Sequence, residues 1–198
     1  MRVPRHAACA AALLLLGAAA VDADFEEAIE GLERGDFAAA VPELRRLAGD
    51  GDPQARDTLA GLYLEGIGVG RDVPRAMGWY CRMAHDPGGG PEVMRAVWYL
   101  AEYFRTGGGV PGSGYTQGRP EDENPLKAYF WFVLMAGQEG LYDTVDERSV
   151  ILGEIGINAV GRVLFPEEKE TVARAARSWR PNRPVASPAA CLALPEGL

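Results

Sequence analysis

The sequence predicts an all-α protein, built as a short right-handed α-solenoid of antiparallel helix hairpins. Three observations support this prediction: a degenerate internal repeat, apolar residues at helical spacing within each repeat, and helix-capping signals at the matching places. Internal repeats of this kind are typical of stacked units, because one hairpin cannot bury its apolar face alone. The chain therefore divides into a leader, a stack of hairpins and a tail.

The first 23 residues are typical of a secretory signal peptide. Arg2 and Arg5 give a positive start, residues 7–20 are apolar apart from one glycine, and Val21 and Ala23 place small residues before a cleavage site. A transmembrane anchor is the alternative, but a spanning helix needs about 20 apolar residues. We expect cleavage after about Ala23, export to the periplasm or medium, and no stable membrane insertion afterwards.

Charge and cysteine content limit the partners and the compartment. The chain carries 20 Lys+Arg and 28 Asp+Glu, for a net charge of −8, without a basic run. Such a surface repels phosphate backbones, so nucleic acid is not expected as a partner. Cys81 and Cys191 remain after cleavage, and an even number in an oxidising compartment allows a disulfide between them. Two unpaired thiols are the alternative.

The repeat begins with a half-unit at about 24–52, which precedes a full unit at about 53–88 and a longer unit at about 91–140. Residues 59–69 align with residues 100–110 at an offset of 41. The second halves align at an offset of 52, so eleven extra residues fall in the loop of the longer unit. The matched positions are Asp72, Ala76, Trp79, Tyr80 and Ala84 with Asn124, Ala128, Trp131, Phe132 and Ala136.

Each unit carries the chemistry of a helix hairpin. Ala55, Leu59, Leu62 and Tyr63 have the spacing of one apolar helix face. Glycines at 66 and 68 are suited to end that helix. Asp72 is then expected to cap the second helix, with a proline in its first turn, and Asn124-Pro125 repeats this signal.

These residues resemble the Sel1-like repeat, a relative of the tetratricopeptide repeat. The family's stretch A-x-x-x-L-G-x-x-Y-x-x-G-x-G-V-x-x-D-x-x-x-A-x-x-W-Y-x-x-A-A is followed closely by residues 55–84, and by residues 96–136 with the loop insertion. The resemblance implies an adaptor or regulator that binds a protein or peptide on the concave face of the stacked hairpins. It implies no cofactor and no catalysis.

The C-terminal part, about 143–180, is expected to form helices that cap the stack. Residues 144–147 have the pattern of a capping box and predict the start of one helix, with Thr144 as the N-cap. Gly153 and Gly156 make the middle of that helix a weaker prediction. Residues 164–179 are similar to the closing helix of many bacterial Sel1-like proteins. Four prolines predict an irregular tail at 181–198.

Two regions are candidate partner-binding sites. The first is the helix face left over from packing, where the first helices of the hairpins are expected to line the concave surface. The second is the insertion 111–123, since long loops in compact repeats are either binding elements or flexible segments. The candidate residues are Thr58, Arg95, Trp98, Tyr99 and Glu102 on the helices and Tyr115 and Arg119 in the loop. Packing is the alternative role for Trp98 and Tyr99, and the other three tryptophans are assigned to the core.

No catalytic or metal-binding constellation is visible in the sequence. The expected mature chain has one histidine, His85, placed at a helix end where a surface role is common. The leading prediction is therefore a non-catalytic interaction module. The alternatives are an envelope scaffold that recognises glycan or peptidoglycan, and, on thinner analogy, a penicillin-binding or weakly β-lactam-hydrolysing Sel1-like protein.

Overall fold

The computed structural model describes residues 23–86, 92–110, 118–137 and 145–181. All regular structure in these ranges is helical, without a strand, which confirms the all-α prediction for the described chain. The helices are α1 (23–33), α2 (Phe37–Asp50), α3 (Pro53–Glu65), α4 (Val73–Ala84), α5 (Glu92–Arg105), α6 (Pro125–Met135), α7 (Glu147–Val160) and α8 (Pro166–Ser178), with a 3-10 turn at Pro120–Asp122. The signal-peptide segment before residue 23, Tyr115, Thr144, Cys191 and the tail beyond residue 181 lie outside the described residues.

Helices that follow one another in the chain pack against one another from α2 to α7. Two further contacts join helices that are two apart, α3 with α5 and α5 with α7, so these three helices share one side of the molecule. The last helix, α8, packs on α6. We call the side formed by α3, α5 and α7 the α3–α5–α7 face.

The apolar helix faces expected from the sequence lie in the core, together with residues of the C-terminal helices. Leu59 of α3 and Ala76 and Tyr80 of α4 are buried, as are Trp131 and Trp179. Trp79 differs from the expectation of a core residue, because it lies at the edge of the core and is only partly buried. The guanidinium of Arg82 lies 4.7 Å from the centre of its ring.

Both long hairpins close in the same way, although one has eleven extra residues. The Oδ1 atoms of Asp72 and Asn124 accept hydrogen bonds of 3.0 Å from the backbone of Arg75 and Lys127, so both predicted caps are confirmed. The backbone N–H of each cap residue also donates to the last turn of the preceding helix, Asp72 to Tyr63 at 2.9 Å and Asn124 to Phe104 at 2.8 Å. The cap and the closing hydrogen bond are therefore equivalent in the hairpin with the insertion and in the hairpin without it.

Helix α7 starts later than the predicted capping box places it. The Asp146 side chain accepts a 2.8 Å hydrogen bond from the backbone of Ser149, so Asp146 is the N-cap instead of Thr144. The helix is unbroken through Gly153 and Gly156. A Cβ atom at Gly153 would lie 2.4 Å from the backbone nitrogen of Ala136, and one at Gly156 would lie 2.2 Å from the Phe132 ring. These glycines allow α7 to approach α6 closely.

Candidate functional site

A cavity of about 410 Å³ opens between α5 and α7 on the α3–α5–α7 face. We call it the α5–α7 cavity. One wall comes from α5, the other comes from α7, and the end of α6 closes it. Its lining consists of Met94, Arg95, Trp98, Tyr99, Met135, Arg148, Ser149 and Leu152.

The lining residues share a face because of their spacing. On α5, Arg95 precedes Trp98 by three residues and Tyr99 by four, which places the three side chains next to one another. On α7, Arg148 and Leu152 have the same four-residue spacing. The capping bond from Ser149 to Asp146 fixes the first turn of α7, and so the position of this wall.

The aromatic wall is held in place by the core. The ring of Tyr99 stacks on the buried ring of Tyr80, with 4.6 Å between centroids and 17° between planes. Trp98 meets Tyr99 edge-on, with 5.1 Å between centroids. Both Trp98 and Tyr99 are partly buried. Burial also raises the pKa of the Tyr99 hydroxyl, which as in any tyrosine is protonated near neutral pH and can donate a hydrogen bond.

Two arginines line the cavity, and only one of them is paired with a carboxylate of the described residues. Arg95 of α5 pairs with Asp57 of α3, with its Nε 3.1 Å from Oδ1 and its Nη2 in closer contact with Oδ2. Burial raises the pKa of the Asp57 carboxyl, while the adjacent guanidinium opposes that shift. Arg148 forms no salt bridge with any of the described residues. Hydrogen bonds from Ser149, and to a smaller extent the charge of Arg148, lower the pKa of the Asp146 carboxyl. The α7 side of the cavity therefore carries a cation that touches no carboxylate of the described residues.

The structure brings together three of the residues singled out from the sequence, Arg95, Trp98 and Tyr99. Thr58 lies on α3, partly buried and away from the cavity lining. Glu102 is only 8 % exposed, and Arg105 binds its carboxylate through an Nε to Oε1 hydrogen bond of 3.0 Å. The sequence assigned Glu102 to the open face, but its charge is engaged within α5.

The remaining cavity residues were not apparent from the sequence. Met94, Met135, Arg148, Ser149 and Leu152 come partly from α6 and α7. Helix α7 lies outside the aligned repeat, so no matched position indicates which of its faces meets α5. The spacing of Arg148 and Leu152 was the available signal, and it is too common in helices to be decisive.

Arg119, the described candidate from the insertion, lines a different cavity. This second cavity of about 670 Å³ lies between the start of α4 and the end of α5. Lys127 also lines it, with its ammonium 4.9 Å from the centre of the Phe104 ring, and burial lowers the pKa of Lys127. The two cavities share no lining residue, so Arg119 lies apart from the candidates on α5.

Cys81 is buried in α4 and disulfide-bonded. Cys191, the cysteine with which the sequence allows it to pair, lies outside the described residues. The described residues contain no group of three or more His, Cys, Asp or Glu side chains placed to hold a metal ion. Among them there is also no helix of the length and apolar character needed to cross a membrane.

Comparison with known proteins gives no relative: no protein-family model, no curated protein and no solved structure matches the chain.

Proposed function

We propose that this protein is an exported, non-catalytic interaction module that binds a peptide or protein segment in the α5–α7 cavity. The observation that carries the proposal is the composition of that cavity: Trp98 and Tyr99 form a fixed aromatic wall beside the guanidinium groups of Arg95 and Arg148. Aromatic and arginine side chains in a concave, mostly apolar site are the residues that most often dominate protein binding energy.

The architecture proposed with this function is a short α-solenoid whose concave side is the α3–α5–α7 face. Two features support it. Helices two apart contact one another along that face. The hairpins at Asp72 and Asn124 also close with equivalent hydrogen bonds, as expected for successive copies of one unit. Both features agree with the resemblance to Sel1-like repeats.

Export is part of the proposal and has separate support. The first 23 residues have the order of charge, apolar run and small residues that signal peptidases require. Cys81 is disulfide-bonded, and structural disulfides persist mainly in oxidising compartments such as the periplasm. These two observations are independent, because one rests on the leader and the other on the folded domain.

The cavity chemistry defines the partner. A volume of about 410 Å³ with two methionines and a leucine in its lining has room for a large apolar side chain and part of its neighbour. The Arg148 guanidinium at the rim favours an acidic residue next to that side chain. The expected ligand is therefore a segment that pairs an apolar anchor with a carboxylate a few residues away.

Photocrosslinking in the native host tests this proposal. A photoreactive amino acid replaces Leu152, which lines the cavity, and in a parallel strain it replaces Ala159, which is exposed on the same helix. The proposal expects a protein adduct from position 152 that position 159 does not give. The adduct is identified by mass spectrometry, and its crosslinked peptide should carry the apolar anchor and the acidic residue.

Substitutions then distinguish binding in the α5–α7 cavity from binding elsewhere on the surface. Trp98→Ala and Arg148→Glu should abolish the adduct, whereas Arg162→Glu, which reverses an exposed charge just beyond α7, should leave it unchanged. Circular dichroism confirms that each variant is folded. An adduct that survives both cavity variants, or that forms equally from position 159, would show that binding lies elsewhere.

A further inference from the structure

Two arginines from different helices meet at one tyrosine hydroxyl, away from the α5–α7 cavity. Tyr63 lies in the last turn of α3, and its side chain is almost fully buried, with 3 % exposure. Arg45 of α2 donates to its hydroxyl oxygen from Nε at 3.2 Å and from Nη2 at 3.0 Å. Arg75 of α4 donates to the same oxygen from Nη1 at 3.2 Å. Three helices therefore build this cluster.

The cluster has hydrogen-bond donors left for a ligand, whereas its one acceptor, the phenol oxygen, is already used. A guanidinium group only donates, so the phenol oxygen must accept from both arginines. The Tyr63 O–H is then left to donate outward, and within the described chain no group accepts from it. Each guanidinium also keeps further N–H groups, since only three of the ten are used on Tyr63. Such a site is complementary to a group that only accepts, which is an oxyanion.

The surrounding charge has the same sign. A pocket of about 390 Å³ adjoins the cluster, and Arg45 and Arg75 carry the only full charges in its lining. Arg45 forms no salt bridge with the described residues, whereas Arg75 lies 3.4 Å from the Asp72 carboxylate. One positive charge therefore remains without a counter-ion. Burial opposes ionisation of Tyr63, but the hydrogen bonds from both arginines outweigh it and lower its pKa.

The backbone adds to this field. Phe37 and Ala38, in the first turn of α2, line the pocket together with Arg75, in the first turn of α4. The N-terminal ends of helices carry partial positive charge from their free N–H groups. The cap carboxylates Asp36 and Asp72 offset part of that charge, but neither lines this pocket.

The next unit of the repeat lacks this arrangement. Its residues at the positions of Tyr63 and Arg75 are Phe104 and Lys127. Phe104 has no hydroxyl, and the Lys127 ammonium lies over its ring, 4.9 Å from the centroid. The donor cluster is therefore a property of one unit and is not required by the hairpin packing.

We infer that Arg45, Tyr63 and Arg75 form a binding site for an oxyanion group, a carboxylate or a tetrahedral phosphate or sulfate, carried by a ligand that enters the adjoining pocket. The two guanidinium groups would bind the oxygens and the Tyr63 hydroxyl would donate a further hydrogen bond. This site is separate from the α5–α7 cavity, with which it shares no residue.

Anion titration of the purified protein tests the inference. Acetate, phosphate and sulfate are added in turn at constant ionic strength, and binding is followed by NMR of arginine side chains and of ¹³C-labelled tyrosine. Saturable shifts at Tyr63, Arg45 and Arg75 are expected with at least one anion. A preference for acetate identifies the ligand group as a carboxylate, and a preference for phosphate or sulfate identifies it as tetrahedral.

Arg46 provides a matched control, since it lies on the same helix but its guanidinium pairs with Asp24, Glu43 and Asp50. Arg45→Gln and Arg75→Gln should each weaken anion binding about tenfold or more, because each removes charge-assisted hydrogen bonds. Arg46→Gln should leave affinity unchanged.

Tyr63→Phe keeps the ring and the packing, and it should weaken binding by a smaller factor. Bound anion should also raise the pKa of Tyr63 relative to the free protein, since a nearby negative charge disfavours the phenolate. Absence of saturable binding for all three anions, or an equal loss of affinity in Arg46→Gln, would overturn the inference.

Discussion

Replacing Gly153 or Gly156 with alanine tests the closest helix contact in the structure. In a helix interior, alanine is favoured over glycine by about 1 kcal/mol, so the change would stabilise an isolated helix. Here the added Cβ would lie 2.4 Å from the backbone nitrogen of Ala136 for Gly153, and 2.2 Å from the buried Phe132 ring for Gly156. Neither neighbour is the free end of a flexible side chain, so the helices must move apart.

The size of the effect follows from these two opposing contributions. Overpacking typically costs about 1–3 kcal/mol, and contacts this short belong at the upper end. After subtraction of the helix-propensity gain, each variant should lose about 2 kcal/mol of unfolding free energy. For a chain of 198 residues this corresponds to a fall in Tm of about 4–8 °C.

Gly61 is the matched control, because it lies inside α3 and an added Cβ would meet no atom within 4 Å. Gly61→Ala should therefore raise stability, by about 0.5–1 kcal/mol. Thermal and urea unfolding followed by circular dichroism at 222 nm measure all three variants. If Gly153→Ala and Gly156→Ala gain stability as Gly61→Ala does, the close approach of α7 to α6 is refuted.

Three further predictions concern other parts of the fold. Asp52 caps α3 through a 2.7 Å hydrogen bond from the backbone of Ala55, so Asp52→Ala should cost about 1 kcal/mol in urea unfolding, while Asp52→Asn, which keeps the oxygen, should cost much less. Cys81 is disulfide-bonded, so a reductant should lower the Tm of the unsubstituted protein. Cys81→Ala should lower the unfolding free energy by about 2–5 kcal/mol, and the Tm of this variant should no longer depend on the reductant. Burial, aided by the adjacent Tyr99, raises the pKa of Tyr80 well above its ordinary value. Above about pH 10 the folded state therefore keeps a proton that the unfolded chain loses, so the unfolding free energy should fall as the pH rises further. Denaturation measured from neutral to alkaline pH should show this fall, and Tyr80→Phe should make it less steep.

Sequence reasoning succeeded where the cause of a structure lies within a few residues. The Asp72 and Asn124 caps depend on one side chain and a backbone N–H three residues away, so the local pattern was sufficient. The apolar stripe through Leu59 and Tyr63 was equally local. The position of the α7 cap was missed because Asp146 and Thr144 are both good caps, and sequence alone does not rank two candidates this close together.

The cavity itself depends on contacts between distant segments, which explains what the sequence did not reveal. Arg148 becomes a cavity residue only because α7 packs beside α5, and the repeat alignment does not extend to α7. Gly153 shows the same limit. Its low helix propensity indicated a helix that is weak in its middle, whereas in the structure the absence of a side chain lets α7 pack closely on α6. The Glu102–Arg105 pair has the three-residue spacing of neighbours on a helix, so the sequence could have indicated that this charge is engaged within α5.

The insertion in the longer unit has an anchored base. The backbone N–H of Arg119 donates to the carbonyl of Gly107 at 2.8 Å, and Gly118 lies so close to Thr106 that a Cβ atom there would be 1.8 Å from its carbonyl oxygen. The two ends of the loop thus lie side by side, and the Asn124 to Phe104 bond then restarts the hairpin. Doubling the length of a loop whose ends are held together costs only about 0.6 kcal/mol, so the insertion can change in length at little cost to the fold. Its length and sequence can diverge, or be exchanged for a foreign peptide, while the helices on either side keep their register.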